Sequence, residues 1–398
     1  MKVQDTEIEY TQKLNKVISK LIRFLDQNDF KGWEPYDVLN NRLKSFFKAP
    51  IFRVLITQVF RLSPIFIHPL LKEKRLYAKA VALFAHSFLI LYEITKSRKY
   101  RDRAIYFLDW LDEHRSLQSR NFSLGSQYDL NLKTYESSSD TPSPFITALA
   151  VEAFISAYKI LGQKRYLEIA ESGIRYFLDE LPQIQVKNDQ SYFIYHPNNS
   201  RFIPNLPAII SGTLARFYSI SGDITILNTV VKNLKYVVQW QRSNGSWFYN
   251  PNTKYVDNFH TGFILEALAK FEYYTKDIQF KSAFSKGLSY YIKNLFKSNG
   301  IPIHIKLSGI PQNADSLFTK IDLRDFAQTI ILFNFLNEKK LHYIRQHYDL
   351  FNWSSCYFKS KKGYFYYQQL PIYIIKGPFI TMQAWMLYAL VKMLKQFR

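Results

Sequence analysis

Cysteine is almost absent: the 398 residues include a single one, Cys356. That excludes an internal disulfide framework and any zinc site built from several thiolates. Acidic residues are also scarce, 32 against 53 lysines and arginines, which leaves a formal charge of +21. An excess of that size favours anionic partners such as acidic glycans, phosphate-bearing lipids or nucleic acid. The basic residues are spread along the chain and form no single arm, so nucleic acid is not expected. Long hydrophobic runs are lacking too. The longest apolar stretch, Ile51 to Leu71, is interrupted by Arg53, Gln58, Arg61 and Pro64 and is not expected to cross a bilayer. The opening residues MKVQDTEIEY are polar and show no secretory signal, so the expected compartment is the cytoplasm, with peripheral contact at the inner membrane left open.

What the chain does have is apolar and aromatic material. Hydrophobic residues make up 47 %, and 29 Tyr and 33 Phe bring the aromatics to 17 %. Such a composition serves a helical core and a sugar- or lipid-binding cleft equally well. Near the N-terminus, Leu14, Val17, Ile18, Leu21, Ile22 and Leu25 form the apolar stripe of an amphipathic helix, which Gly32 and Pro35 end. Between Val38 and Leu71 apolar residues alternate with Arg42, Lys44, Lys48, Arg53 and Arg61. That pattern suits a covering segment on the domain or a surface resting on anionic lipid. Residues 1–77 therefore read as an N-terminal helix and covering segment, and 78–398 as the main domain.

From Ala78 onward the chain repeats. Apolar helices are expected to begin near Ala78, Pro144, Leu206, Asn258, Leu323 and Ile380, about sixty residues apart. Most are followed by a short break and a second helix charged on one face, as where Gly162 separates PFITALAVEAFISAYKIL from QKRYLEIAESGIRYFLDEL. Six buried helices with outer partners, the N-terminal helix closing the ring, predict an all-α fold, an (α/α)6 toroid of six hairpins. An open solenoid would need polar caps instead.

The links from outer to inner helices are long, and long loops in compact domains are usually functional. They carry short alternating segments expected as strands: Ser191 to Tyr195, Trp247 to Tyr249, Ile301 to Leu307 and Gly363 to Tyr367. All fall on the face where the inner helices start, where free N–H groups suit anions.

The candidates at that mouth are Tyr128, Asp129, Tyr135, Glu136 and Asp140 in the second unit, and Tyr195, His196, Arg201 and Asn205 in the third. The fourth has Asp257, Asn258 and His260, and the fifth His304, Asp322, Arg324, Asp325 and Gln328. Tyr366, Gln383 and Trp385 belong to the sixth. Carboxylates across a cavity suit glycoside hydrolysis, whereas His or Tyr beside Arg suits proton abstraction next to a carboxylate. Asp257, His260, Asp322 and Asp325 are the expected catalytic set. Trp247, Tyr249, Asn258, Arg324, Gln328, Gln383, Trp385, Tyr128, Tyr195 and Asp140 are the expected substrate contacts. An Asp257 buried near Trp247 and Tyr249 should have a raised pKa, while Arg324 should keep its partner carboxylate ionised. The pattern calls for no cofactor and no metal.

GSWFY followed by VDNFHTGFILEAL, then IDLRDFAQTIILF, GYFYY and QAWMLYAL, resembles a bacterial family found with capsule and exopolysaccharide biosynthesis genes. Its members are often mislabelled delta-aminolevulinic acid dehydratases. The resemblance runs from about Lys79 to Leu394. It implies an α/α toroid related to six-hairpin glycosidases and a role in surface-polysaccharide biosynthesis. The expected substrate is a polysaccharide or oligosaccharide, with acidic or lipid-linked character left open. The matching residues are Trp247, Tyr249, Asp257, Asn258, His260, Thr261, Gly262, Asp322, Gln328, Gln383 and Trp385. The chain departs from the pattern at Gly125-Ser126-Gln127-Tyr128 and at Asn205-Leu206-Pro207.

Gln241, Gly245 and Trp247 also fit one copy of the Q-x-x-x-G-x-W brace of terpene cyclases, but the aspartate-rich acid motif of those enzymes is missing. The leading expectation is thus cleavage or trimming of a glycan by paired carboxylates. An epimerase or lyase using His and Tyr comes next, and then a glycan-binding protein without activity.

Overall fold

Helices that are apolar on every face must be buried on every face, and in this chain they line a ring. The computed structural model describes residues 3–35, 37, 52, 55, 59, 74–128, 130–131, 136–195, 201–308, 320–338, 344–357, 359–370 and 373–397. The inner helices are α2 (Ala78–Thr95), α4 (Pro144–Leu161), α6 (Asn205–Ser221), α8 (Asn258–Thr275), α10 (Leu323–Glu338) and α12 (Ile380–Gln396). Each packs on the next, and α12 packs back on α2, so the ring is closed. Five of these starts coincide with the residues expected from the sequence, and α6 begins one residue early.

The outer layer is amphipathic. It consists of α3 (Arg98–Glu113), α5 (Lys164–Arg175), α7 (Ile224–Gln239), α9 (Lys281–Asn294) and α11 (Ile344–Tyr357), each against the preceding inner helix. The N-terminal helix α1 (Val3–Asp26) packs along α12 and supplies its outer partner. Leu14, Leu21 and Leu25 are fully buried in that contact. The fold is therefore the expected toroid of helical hairpins. Two of its inner helices, Ala78–Thr95 and Pro144–Leu161, are long and apolar enough to span a bilayer, but they are mostly buried in the barrel wall.

Four of the inner-to-outer turns share one device. Lys96, Gly162, Gly222 and Lys276 all adopt left-handed backbone conformations at the inner helix C-terminus. Each N–H donates to the carbonyl four residues back, which stops the helix and reverses the chain.

The opposite face carries the long links with their small sheets: β1 (Leu130–Asn131) with β2 (Glu136–Ser137), and β3 (Gln183–Lys187) with β4 (Gln190–Phe193). There β5 (Tyr255–Asp257) pairs with β6 (Ile305–Leu307), while β7 (Ile321–Asp322), β8 (Gln368–Leu370) and β9 (Tyr373–Ile375) form a three-stranded sheet. The expected strand Trp247 to Tyr249 does not form. Trp247 is held as an anchor instead: its indole N–H donates to the Val237 carbonyl at 2.9 Å, and its ring abuts Gly287 of α9. Gln241 braces the same junction by donating to the carbonyls of Gly245 and Ala283. In the Gly363 to Tyr367 stretch only Phe365 bridges, to Lys359, and regular pairing starts at Gln368. The basic-apolar segment between Val38 and Leu71 lies almost wholly outside the described residues, as do Asp129, Tyr135 and His196.

Candidate active site

The inner helices start on one face, and the β5–β6 pairing folds the link after α9 across it. The Asn258 N–H donates to the His304 carbonyl at 3.0 Å, which sets His304 against α10. There His304 Nδ1 meets Asp325 at 2.9 Å, and its Nε2 lies 3.3 Å from Lys320 Nζ. Asp257, Asp322 and Asp325 all interact electrostatically with this one histidine. The ring thus brings three of the sequence-predicted aspartates to a single cluster.

Their environments differ. Asp322 is sealed from solvent and grips Arg324 with both oxygens, at 2.9 and 2.8 Å, while Gln368 donates to it as well. Burial opposes its charge, but Arg324 outweighs burial and holds the carboxyl far below the usual range. Asp257 caps α8 by accepting the His260 N–H at 2.9 Å and binds the His260 ring at Nδ1 at 2.7 Å. Burial again works against the charged form, and His260 reverses it to a pKa of about 2. The raised value expected for Asp257 is therefore corrected, because the charge of His260 and its two hydrogen bonds to the anion outweigh burial. Asp325 is raised by burial, with like charge from Asp322 and Asp257 adding to it; His304 is raised as well, because Asp325 outweighs its desolvation.

The groups that reach solvent are not carboxylates. The side chains of His260 and Arg324 are 27 % and 28 % exposed, against 8 % for Asp257 and none for Asp322. Arg324 lies over the Phe259 ring at 5.5 Å, and the same ring meets His260 edge-on at 5.6 Å. Phe259 contacts Phe263 and Trp385, and Phe263 contacts Phe145. Half-buried Lys79 sits over Phe145 at 5.6 Å, its pKa lowered by burial and, more weakly, by Arg324. An aromatic floor thus carries one imidazole and two cations. Beside Lys79 lies Glu34, whose pKa burial raises to about 7, and which accepts the Thr381 N–H at the start of α12.

Other candidates have architectural positions. Asn258 bridges the Leu295 carbonyl and the Tyr291 hydroxyl, and Gln383 pairs with both backbone groups of Phe365. Asp140 accepts the Leu117 N–H in the link that precedes α4. Tyr249 stacks on Tyr255 and meets His260 edge-on at 4.9 Å. Tyr128 is buried against Tyr77, and Tyr195 packs half-buried on the core. Among the described residues no three His, Cys, Asp or Glu side chains converge as metal ligands.

Below the floor Gln328 and Trp385 reach a cavity of about 50 Å³. Its lower wall is a layer that sequence reasoning missed: His86, Glu152, Thr213, Glu266, Ile331 and Tyr388 each stand eight residues beyond the first residue of their helix. The signal was present, since a glutamate occupies the same repeat position in two helices apolar on all sides. Glu34 left none, because its burial comes from elements far apart in the chain.

No protein-family model and no curated protein matches the chain. Solved structures do. A cellobiose 2-epimerase from Bacillus thermoamylovorans superposes with a TM-score of 0.59 at 11% identity, covering 80% of this chain and 88% of that one. A glycosyl hydrolase family 88 protein from Bacteroides vulgatus gives 0.58 at 12%, over 87% and 99% of the two chains. A D-mannose isomerase gives 0.57 at 13%, over 80% and 87%. At such identities the likeness establishes the fold, a barrel of six helical hairpins, and nothing finer. It lends no support to the capsule-associated family or its dehydratase label.

Proposed function

We propose that this chain processes a glycan at the inner-helix N-terminal rim, by proton transfer at a carbon next to a carbonyl or carboxylate. The observation that carries the reading is the exposed His260 held through Nδ1 by ionised Asp257 at 2.7 Å. That contact fixes the proton on Nδ1 and leaves Nε2 as the basic atom facing outward. His260 takes the carbon-bound proton. Arg324, pinned by Asp322, stabilises the oxygen on which negative charge develops. Return of a proton to the opposite face gives epimerisation, and loss of a neighbouring leaving group gives elimination. Glu34, with a pKa of about 7 at the same rim, suits a proton donor.

Barrels of this shape include an epimerase, a hydrolase and an isomerase, so sugar chemistry is the natural class. The +21 charge and the two rim cations favour an acidic glycan. A place in surface-polysaccharide assembly rests on the motif resemblance alone. Paired-carboxylate hydrolysis has less support, because Asp257 and Asp322 are held ionised and Asp325 is sealed behind His304.

The test is proton exchange. Uronate-ended oligosaccharides and reducing disaccharides are incubated with the protein in deuterated water and followed by NMR. Wild type should wash deuterium into one carbon position, or release an unsaturated product where elimination follows, and His260→Ala should do neither. Glycan cleavage without exchange, retained in His260→Ala, would overturn the reading.

A further inference from the structure

The far end of the barrel holds a second and larger cavity. It measures about 180 Å³, well above the ~10–15 Å³ that one water needs. It lies toward the C-terminal ends of the inner helices and shares His86, Glu152, Lys270 and Tyr388 with the cavity above. Partly exposed Lys395 and Glu93, paired at 2.8 Å, stand at its outer edge, so it opens away from the rim.

Its charges do not balance. Five lysine and arginine side chains line it against three carboxylates. Glu152 is shared by Arg216 and Lys270, and Lys270 spans 3.0 Å to both Glu152 and Glu266. Lys392 makes no close ion pair among the described residues, feels Glu338 and Glu266 only from a distance, and lies over the Tyr388 ring at 5.4 Å. Arg216 has a buried Nε–H without a hydrogen-bond partner. His86, kept neutral by burial first and by nearby cations, adds no charge and bonds Ser156 at 2.8 Å.

A lysine without a close ion pair and an unsatisfied guanidinium N–H on one polar cavity call for an anion with several acceptors. We infer that this cavity binds a phosphate group, free or as the ester of a small sugar. The site is separate from the rim and does not depend on the chemistry proposed there.

The experiment is isothermal titration of the full chain with inorganic phosphate and with glucose 6-phosphate at constant ionic strength. The variants are Lys392→Gln and, as a control of equal charge change, Lys99→Gln on the exposed surface of α3. Wild type and Lys99→Gln should bind saturably and alike, with Lys392→Gln weaker by about tenfold or more. Tighter binding of the ester identifies a sugar phosphate, and equal binding identifies free phosphate. Thermal melts of Lys392→Gln should match wild type without phosphate and lose the phosphate-induced rise. No saturable binding at millimolar concentration, or equal weakening in both variants, overturns the inference. Binding should persist in His260→Ala, and its loss there would place the phosphate at the rim and overturn it too.

Discussion

One oxygen of Asp257 holds both the backbone N–H and the ring Nδ1 of His260, at 2.9 and 2.7 Å. A helix cap and an imidazole clamp are thus the same atom, so the acid sensitivity of the fold reports on the site. The folded carboxyl titrates at about 2 against an ordinary 3.8. A depressed carboxyl contributes stability that is complete above 3.8 and lost as pH falls toward 2. At ~1.4 kcal/mol per pH unit this amounts to about 2 kcal/mol. Urea unfolding at pH 6 and pH 3 should show an acid loss that is visibly smaller in Asp257→Asn. An identical loss in both proteins would refute the clamp.

Asp322 and Arg324 need a different comparison. Asp322→Asn leaves a guanidinium short of its partner, which costs about 3 kcal/mol, the low end for a broken buried pair because Arg324 is partly hydrated. Lost activity in that variant would therefore not identify a catalytic carboxylate. Arg324→Lys keeps the charge and discards the two-pronged grip, and it should lower kcat by about tenfold to a hundredfold with KM changed less. An Arg324→Lys enzyme with unchanged kcat would remove Arg324 from the chemistry.

Glu34 should act in the opposite sense to Asp257. Its folded pKa of about 7 lies above the ordinary 4.5, so stability falls as pH rises from 4.5 through 7. Glu34→Gln, which cannot ionise, should match wild type near pH 4 and exceed it at pH 8 by up to about 3 kcal/mol. The loss of Lys79's counter-charge trims that gain. A variant less stable than wild type at pH 8 would show that the carboxylate itself is required.

Gly287 is where α9 meets the Trp247 anchor. A methyl group there would stand 2.6 Å from Trp247 Cζ3 and 2.8 Å from Cη2. Gly287→Ala should destabilise by ~1–3 kcal/mol. Adding Trp247→Phe should recover part of that loss, measured by chemical denaturation, although each change alone is harmful. Additive losses in the double variant would mean that the two residues do not share this contact.

The ring was legible in the sequence because local chemistry and global packing demand the same thing of each repeat. A helix apolar on all faces has only the interior to occupy, and a left-handed residue such as Gly162 or Gly222 ends it at a predictable place. The start of the site was legible too, since Asp257 and His260 are three residues apart in one turn of chain and their contact is local. What the tertiary structure decided is which groups stay charged and which reach solvent. Asp322 and Asp325 are near neighbours in sequence, yet one is gripped by Arg324 and the other is placed against His304 by the β5–β6 pairing. Glu34 gains its environment from α12, more than three hundred residues away. The layer of His86, Glu152 and Glu266 exists only because ring closure sets equal depths of separate helices side by side. Burial and charge pairing are properties of neighbours in space, and the order of residues does not specify them until the ring has closed.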